Sequence, residues 1–267
     1  MKRNEQTGSV LYLSHGGGPL PILGDKGHEK MIQFMNQLKN TLKKPDSIIV
    51  ISAHWEASIP SIIGNEEPGL LYDYYGFPKE AYSIDFDLPG NNKKALQIQE
   101  LLRNSGIESV IELDRGFDHG VFIPLMLMYP EGSIPTVQIS LIKGLNPEKH
   151  IEMGKALKNL LTENTLIIGS GFSFHNMSEF SWDAGNCKDP KNDLFQEEII
   201  NTCTSKNNVL NIKKLKEWDD FPNSRYCHPR EEHLLPLHVC YGISERSGKV
   251  VFDDYILGKR SIAILWE

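Results

Sequence analysis

The sequence predicts an α/β fold: a single domain, residues 1–267, on a central mixed, mostly parallel sheet with helices on both faces. Three observations predict it. Apolar runs of strand length alternate with stretches of helical periodicity through the first two thirds of the chain. A length of 267 residues suits one large α/β domain. No stretch has the composition of a flexible linker, and no internal repeat is visible.

In chain order, the first strand is Val10-Leu11-Tyr12-Leu13, ending in Ser14-His15. Met31, Phe34, Met35, Leu38 and Leu42 recur at helical spacing and form the apolar face of a helix. Pro45-Asp46 breaks the chain before a second strand, Ile48-Ile49-Val50-Ile51, which runs into Ser52-Ala53-His54. Residues 66–89, rich in Tyr, Gly, Pro and Asp, read as a long ordered loop of the kind that binds ligands. A helix over 91–104 has Asn91 as its N-cap, Ala95, Ile98, Leu101 and Leu102 on one face, and Gly106 as its stop. A strand over 107–113 leads through a charged loop, 114–120, to a helix over 121–129. Residues 136–141 form a strand. Asn146-Pro147-Glu148 then opens a helix with a capping side chain, a first-turn proline and an early carboxylate. Its apolar face is Ile151, Leu157, Leu160 and Leu161. Residues 166–169 are a strand. Beyond a polar stretch from Ser181 to Pro190, one helix carries Phe195, Ile199 and Ile200 and a second Val209, Leu210, Ile212 and Leu215. Residues 250–252 and 261–265 complete the strands.

The net charge of −7 gives no basic footprint for nucleic acid, and 40% hydrophobic residues suffice for a sizeable core. No apolar run approaches the length of a membrane span, and the N-terminal stretch lacks the apolar core of a signal peptide. The expectation is a cytoplasmic protein with no membrane partner. Cys187, Cys203, Cys227 and Cys240 show no C-x-x-C spacing and read as reduced thiols.

Chemistry concentrates in histidines. His15, His54 and His175 each follow an apolar run, and His119 follows the charged loop. The carboxyl ends of parallel strands open on one edge, where ligands bind, so imidazoles far apart in sequence can meet there. Imidazole is the commonest metal ligand and a proton carrier near neutral pH. Ser14-His15-Gly16-Gly17-Gly18-Pro19 reads as a ligand followed by a tight turn, as the oxyanion-hole turn of lipases, or as a plain strand-to-helix turn. His54 beside Trp55 reads as a ligand walled by a ring, or as a buried histidine with a backbone partner. Asp118 reads first as a helix cap and second as a carboxylate that orients His119. Gly171-Phe172-Ser173-Phe174-His175 approximates a nucleophile elbow but has His175 in place of the last glycine, which favours a functional His175. His228-Pro229-Arg230-Glu231-Glu232-His233 is the densest cluster, although Glu231 and Glu232 also suit the positive end of a helix. Arg225 and Arg230 suit either a substrate carboxylate or a surface ion pair. His28, His150 and His238 receive no role.

Together with Tyr72-Asp73-Tyr74-Tyr75-Gly76-Phe77-Pro78, Leu113-Asp114-Arg115-Gly116-Phe117-Asp118-His119-Gly120 and Gly169-Ser170-Gly171, these motifs run in one order over nearly the whole chain. In that order the chain resembles the class III extradiol ring-cleavage dioxygenases of the protocatechuate-dioxygenase β-subunit superfamily, and within it the DOPA-extradiol-dioxygenase-like group. The resemblance implies one divalent metal ion per chain, Zn(II) or Fe(II), held by His15, His54 and His233. It places His175 beside the ion, as fourth ligand or as base, and His119 on the substrate or the oxygen species. A catechol-type aromatic and O2 are the implied partners, the ring opening next to its two hydroxyls. Zinc has no redox step, so a zinc-loaded preparation is expected to be inactive. Two alternatives stand beside this reading: a serine hydrolase using Ser173 and the His15-Gly16-Gly17-Gly18 turn, and a non-enzymatic zinc-binding protein on the same scaffold.

Overall fold

A computed structural model describes residues 7–182 and 188–267. Cys187 and part of the polar stretch from Ser181 to Pro190 lie outside the described residues, as does the N-terminal stretch up to Gln6. The strands are β1 (Ser9–Ser14), β2 (Ser47–Ala57), β3 (Ser61–Ile63), β4 (Val110–Glu112), β5 (Thr136–Ile142), β6 (Thr165–Gly171), β7 (Lys249–Ile256) and β8 (Lys259–Trp266). The helices are α1 (Glu29–Leu38), α2 (Asn92–Asn104), α3 (His119–Met128), α4 (Pro147–Ala156), α5 (Pro190–Thr204), α6 (Asn208–Lys216), α7 (Ser224–Cys227) and α8 (Leu235–Ser244). One sheet contains all eight strands in the order β4-β3-β5-β2-β6-β1-β8-β7. The central pairs β5-β2, β2-β6 and β6-β1 are parallel, and β8 and β7 extend the sheet antiparallel. The mixed, mostly parallel α/β sheet is therefore as the sequence predicts.

Local chemistry explains several helix starts. Asn91 and Asn146 each accept a hydrogen bond from the backbone N–H three residues on, at 3.0 Å, as N-caps do. The expected strand over 107–113 is only the three-residue β4, because its edge position leaves Val110 and Leu113 exposed. Leu157, Leu160 and Leu161 are buried, but on a 3-10 turn beyond the end of α4. Val209 and Leu210 face solvent, while Leu215 anchors α6. No helix among the described residues is long and apolar enough to cross a membrane.

The end of β6 shows how the sheet prepares a site. Successive strand residues face opposite sides. Gly169 and Gly171 face α8, where an added Cβ would meet the backbone of Pro236 and His233. Ser170, between them, faces α3 and donates to the carbonyl of Gly120 at 2.5 Å. Two glycines thus bring the α8 segment onto one face, while a serine serves the other.

Candidate metal centre and active site

His15 directly follows β1, its backbone N–H bonded to the carbonyl of Gly171 at 3.0 Å. His54 does not lie past a strand end as expected; it sits within β2, where pairing to β5 shifts between Ile51 and Glu56. Such an irregularity re-aims a side chain at a sheet edge. His233 precedes α8, and its carbonyl accepts from the Phe172 N–H at 3.0 Å and the Tyr12 hydroxyl at 3.1 Å. His119 opens α3, and His175 lies four residues beyond β6.

These five imidazoles converge at the carboxyl edge of β1, β2 and β6. The Nε2 atom of His54 lies 3.0 Å from Nε2 of His15 and 3.3 Å from Nε2 of His233. Nitrogens bound tetrahedrally to one zinc-like ion at about 2.0–2.1 Å stand about 3.3–3.4 Å apart, so the donor set fits a metal. The opposite ring nitrogens meet oxygens. His15 Nδ1 lies 3.0 Å from Ser170 Oγ; since that hydroxyl donates to Gly120, it accepts from His15 Nδ1–H and leaves Nε2 free. His233 Nδ1 donates to Glu232 at 2.9 Å, and His54 Nδ1 lies 3.5 Å from Asp73. Partners of this kind orient metal-binding histidines. Burial, reinforced by the neighbouring imidazoles, holds His15, His54 and His233 well below the usual histidine pKa, hence neutral, the form that binds a metal.

The other two histidines flank this group. His175 stacks on His233 with centroids 3.4 Å apart and planes 17° off parallel. Its Nδ1 lies 3.2 Å from the same Glu232 oxygen that His233 uses, so both Nε2 atoms point away from that carboxylate. Asp73 clamps His119 by accepting from its backbone N–H at 3.0 Å and its Nδ1–H at 2.8 Å. Burial alone would raise the Asp73 carboxyl, but the hydrogen bonds it accepts from His119, with the neighbouring imidazoles acting in the same sense, bring it down to about 2. Asp73 belongs to the aromatic loop, whose Tyr74 ring packs edge-on to His119 at 5.6 Å, so this loop walls the site. In the sequence Asp73 stands inside the aromatic motif with no chemical role predicted for it. A lone carboxylate amid four aromatic residues was the signal.

Several expectations are corrected. Asp118 occupies the N-cap position of α3, yet its side chain makes no capping bond and turns into the interior. His228 is fully buried against the carbonyl of Ser173, away from the donor set. Ser173 is also fully buried, its hydroxyl accepting from the Ile262 N–H at 2.9 Å, so it cannot act as an exposed nucleophile. The Gly17 N–H, needed for an oxyanion hole, donates to His28 Nε2 at 2.9 Å. His28, to which the sequence assigns no role, thus supports the turn. Arg225 and Arg230 are committed to Glu231 and to Glu56 with Glu232, respectively. His238 is buried and donates to the carbonyl of Leu215 at 2.8 Å, a packing role away from the site.

Comparison with known proteins agrees with this geometry. The family model described as the catalytic LigB subunit of aromatic ring-opening dioxygenase matches residues 9–262. A protein named dioxygenase tasH, from Hapsidospora irregularis, is 36% identical over 265 residues, covering 92% of this chain and 82% of its own. The 4,5-DOPA dioxygenase extradiol of Mirabilis jalapa is 36% identical over 247 residues, covering 90% and 88%. The crystal structure of an uncharacterised Escherichia coli K12 protein superposes with a TM-score of 0.78 at 25% identity, covering 97% of this chain and 99% of that one. Nothing in these similarities favours a hydrolase or a non-enzymatic protein. This family implies a metal cofactor, and the histidine cluster supplies donors for one. The chain belongs to the LigB family of aromatic ring-opening dioxygenases and is a ring-cleaving enzyme of the extradiol class.

Proposed function

We propose that the protein opens the ring of a small catechol with O2 at a centre where His15, His54 and His233 hold a divalent ion, Fe(II) in the active enzyme. The observation that carries this reading is the convergence of three Nε2 atoms whose Nδ1 sides all face oxygens. Bound there, the ion supplies Lewis acidity and, as Fe(II), the redox capacity that O2 chemistry requires.

The chain's own residues do the rest. His175 stands beside the donor set and has two capacities there: a fourth nitrogen for a tetrahedral ion, and an acceptor for the proton that a catechol hydroxyl gives up. Its Nδ1 is engaged by Glu232, so Nε2 is the atom that acts. His119 has its Nδ1 fixed by Asp73 and therefore presents Nε2 to the substrate, holding or returning a proton there. Tyr74 and its loop exclude water and flank the aromatic ring.

The test is anaerobic loading with Fe(II), addition of a catechol panel and then O2, with oxygen uptake and a yellow ring-opened product as readouts. His15→Ala should abolish metal binding, and His119→Ala should retain the metal while keeping only a small residual turnover. Iron-loaded protein that consumes no O2 with any catechol would overturn the proposal.

A further inference from the structure

Beneath His54 and His119 lies a buried polar network that the reaction scheme does not use. Asp118 is fully buried. Its Oδ1 accepts from the Ser52 hydroxyl at 2.7 Å, and its Oδ2 from Arg115 at 3.1 Å and from the Gln138 amide. Ser52 in turn accepts from the backbone N–H of His54 at 3.2 Å. The same Arg115 nitrogen reaches the carbonyl of His54 at 3.4 Å, and its guanidinium lies 4.8 Å over the Trp55 ring. An added Cβ at Gly120 would stand 2.5 Å from Ser52 Oγ and 3.4 Å from His54 Cδ2, so only glycine leaves room for the arrangement.

Asp118 is where a capping carboxylate belongs, yet it leaves the helix N–H groups to bind Ser52, Arg115 and Gln138. A residue that breaks a favourable local rule marks a site where something else is being fixed. We infer that Arg115 and Asp118 are positioning residues that set the register between the irregular part of β2 carrying His54 and the start of α3 carrying His119. One guanidinium nitrogen of Arg115 holds the Asp118 carboxylate and the His54 carbonyl together while the plane is fixed over the Trp55 ring, a pose that an ammonium on a flexible stem does not reproduce. This inference rests on the reading of His119 as the group that faces substrate.

The test has an arm that needs no turnover. In 15N-histidine-labelled wild-type protein, His119 should show a downfield-shifted Nδ1–H resonance, deshielded by its bond to Asp73 and protected by it from exchange with water. In Arg115→Met that resonance should be lost, while those of the remote His150 and His238 persist. Should Arg115→Met fail to fold, Arg115→Lys retains the charge without the fork and should show the same selective loss. In the activity arm, Arg115→Met should lower kcat about tenfold or more, in the range of orienting-shell losses, with KM nearly unchanged. In a His119→Ala background the same change should alter kcat less than twofold, because residues acting through one another are non-additive. An unchanged His119 resonance, or additive losses in the double variant, would overturn the inference. A wild-type enzyme that turns over no catechol would count against the proposed function instead, and the resonance would still decide this one.

Discussion

Gly171→Ala tests whether close backbone approach at the end of β6 sets the donor geometry. A Cβ at this position would run into the His233 carbonyl, whose carbon would stand 3.0 Å away where ordinary contact begins at 3.4 Å. The least displacement that relieves the carbon contact alone is 3.4 − 3.0 = 0.4 Å, and the oxygen lies nearer still. Metal sites tolerate ligand distances within about 0.2 Å, so at least twice that tolerance is imposed on the segment carrying His233. The same shift strains the Phe172 N–H to His233 bond of 3.0 Å. Overpacking of this kind costs about 1–3 kcal/mol of stability. We expect zinc affinity to fall at least about tenfold, or about 1.4 kcal/mol. Competition against a chromogenic chelator measures the affinity, and thermal unfolding of the metal-free protein separates it from stability. Wild-type zinc affinity in Gly171→Ala would refute the reasoning, whatever happened to the melting temperature.

Two further outcomes follow from the same geometry. Ser170→Ala removes the acceptor that fixes the His15 tautomer and should weaken metal binding about 10–100-fold, while the Gly120 carbonyl it leaves unpaired lowers the stability of the metal-free protein by about 1–3 kcal/mol; an unaltered metal titration would show that the serine is only structural. Buried His150, whose Nε2 accepts the Ile142 N–H, has its pKa lowered to about 4 by burial. Above about pH 6.5 it is neutral in folded and unfolded chains alike, and as pH falls below that the unfolded chain takes up a proton that the folded one refuses. Stability should therefore decline by about 1.4 kcal/mol per pH unit from this one group, about 2 kcal/mol by pH 5. Urea unfolding in chelator at pH 7, 6 and 5 should show a correspondingly shallower slope for His150→Gln, and identical slopes would contradict the assignment.

What the sequence disclosed depended on how local the cause was. Asn91 and Asn146 act on N–H groups three residues away, so capping was visible without tertiary structure. The strand-end histidines were visible because parallel strands share an edge. His54 was misplaced relative to its strand because the irregularity in β2 depends on β5 as partner, which no local pattern reveals. Asp118 was read as a cap because its real partners, Ser52 and Gln138, are 66 and 20 residues distant. His28 went unassigned for a related reason: its partner Gly17 lies across the turn in which Gly16 takes a φ of +88°. The hydrolase alternative failed on burial, which a five-residue motif does not encode.

The charge arrangement of the centre bears on what it can bind. The three converging donors are neutral imidazoles, and both nearby carboxylates stand on the far side of a ring, Asp73 behind His119 and His54, Glu232 behind His233 and His175. A carboxylate among the donors would cancel part of a bound cation's charge; imidazoles leave it whole. Asp73 and Glu232 instead polarise the Nδ1–H groups, which makes the Nε2 lone pairs better donors. The His175 hydrogen bond outweighs burial and holds the Glu232 carboxyl below its usual range, with the nearby Arg230 acting in the same sense. A pocket with undiminished positive charge and hydrogen-bonding imidazoles on its flank favours a ligand that becomes an anion on binding by handing a proton to one of those imidazoles. A catechol hydroxyl becomes such a ligand by giving up its proton, whereas a carboxylic ester has no proton to surrender. The neutral donor set thus argues for the ring-cleaving reading independently of sequence similarity.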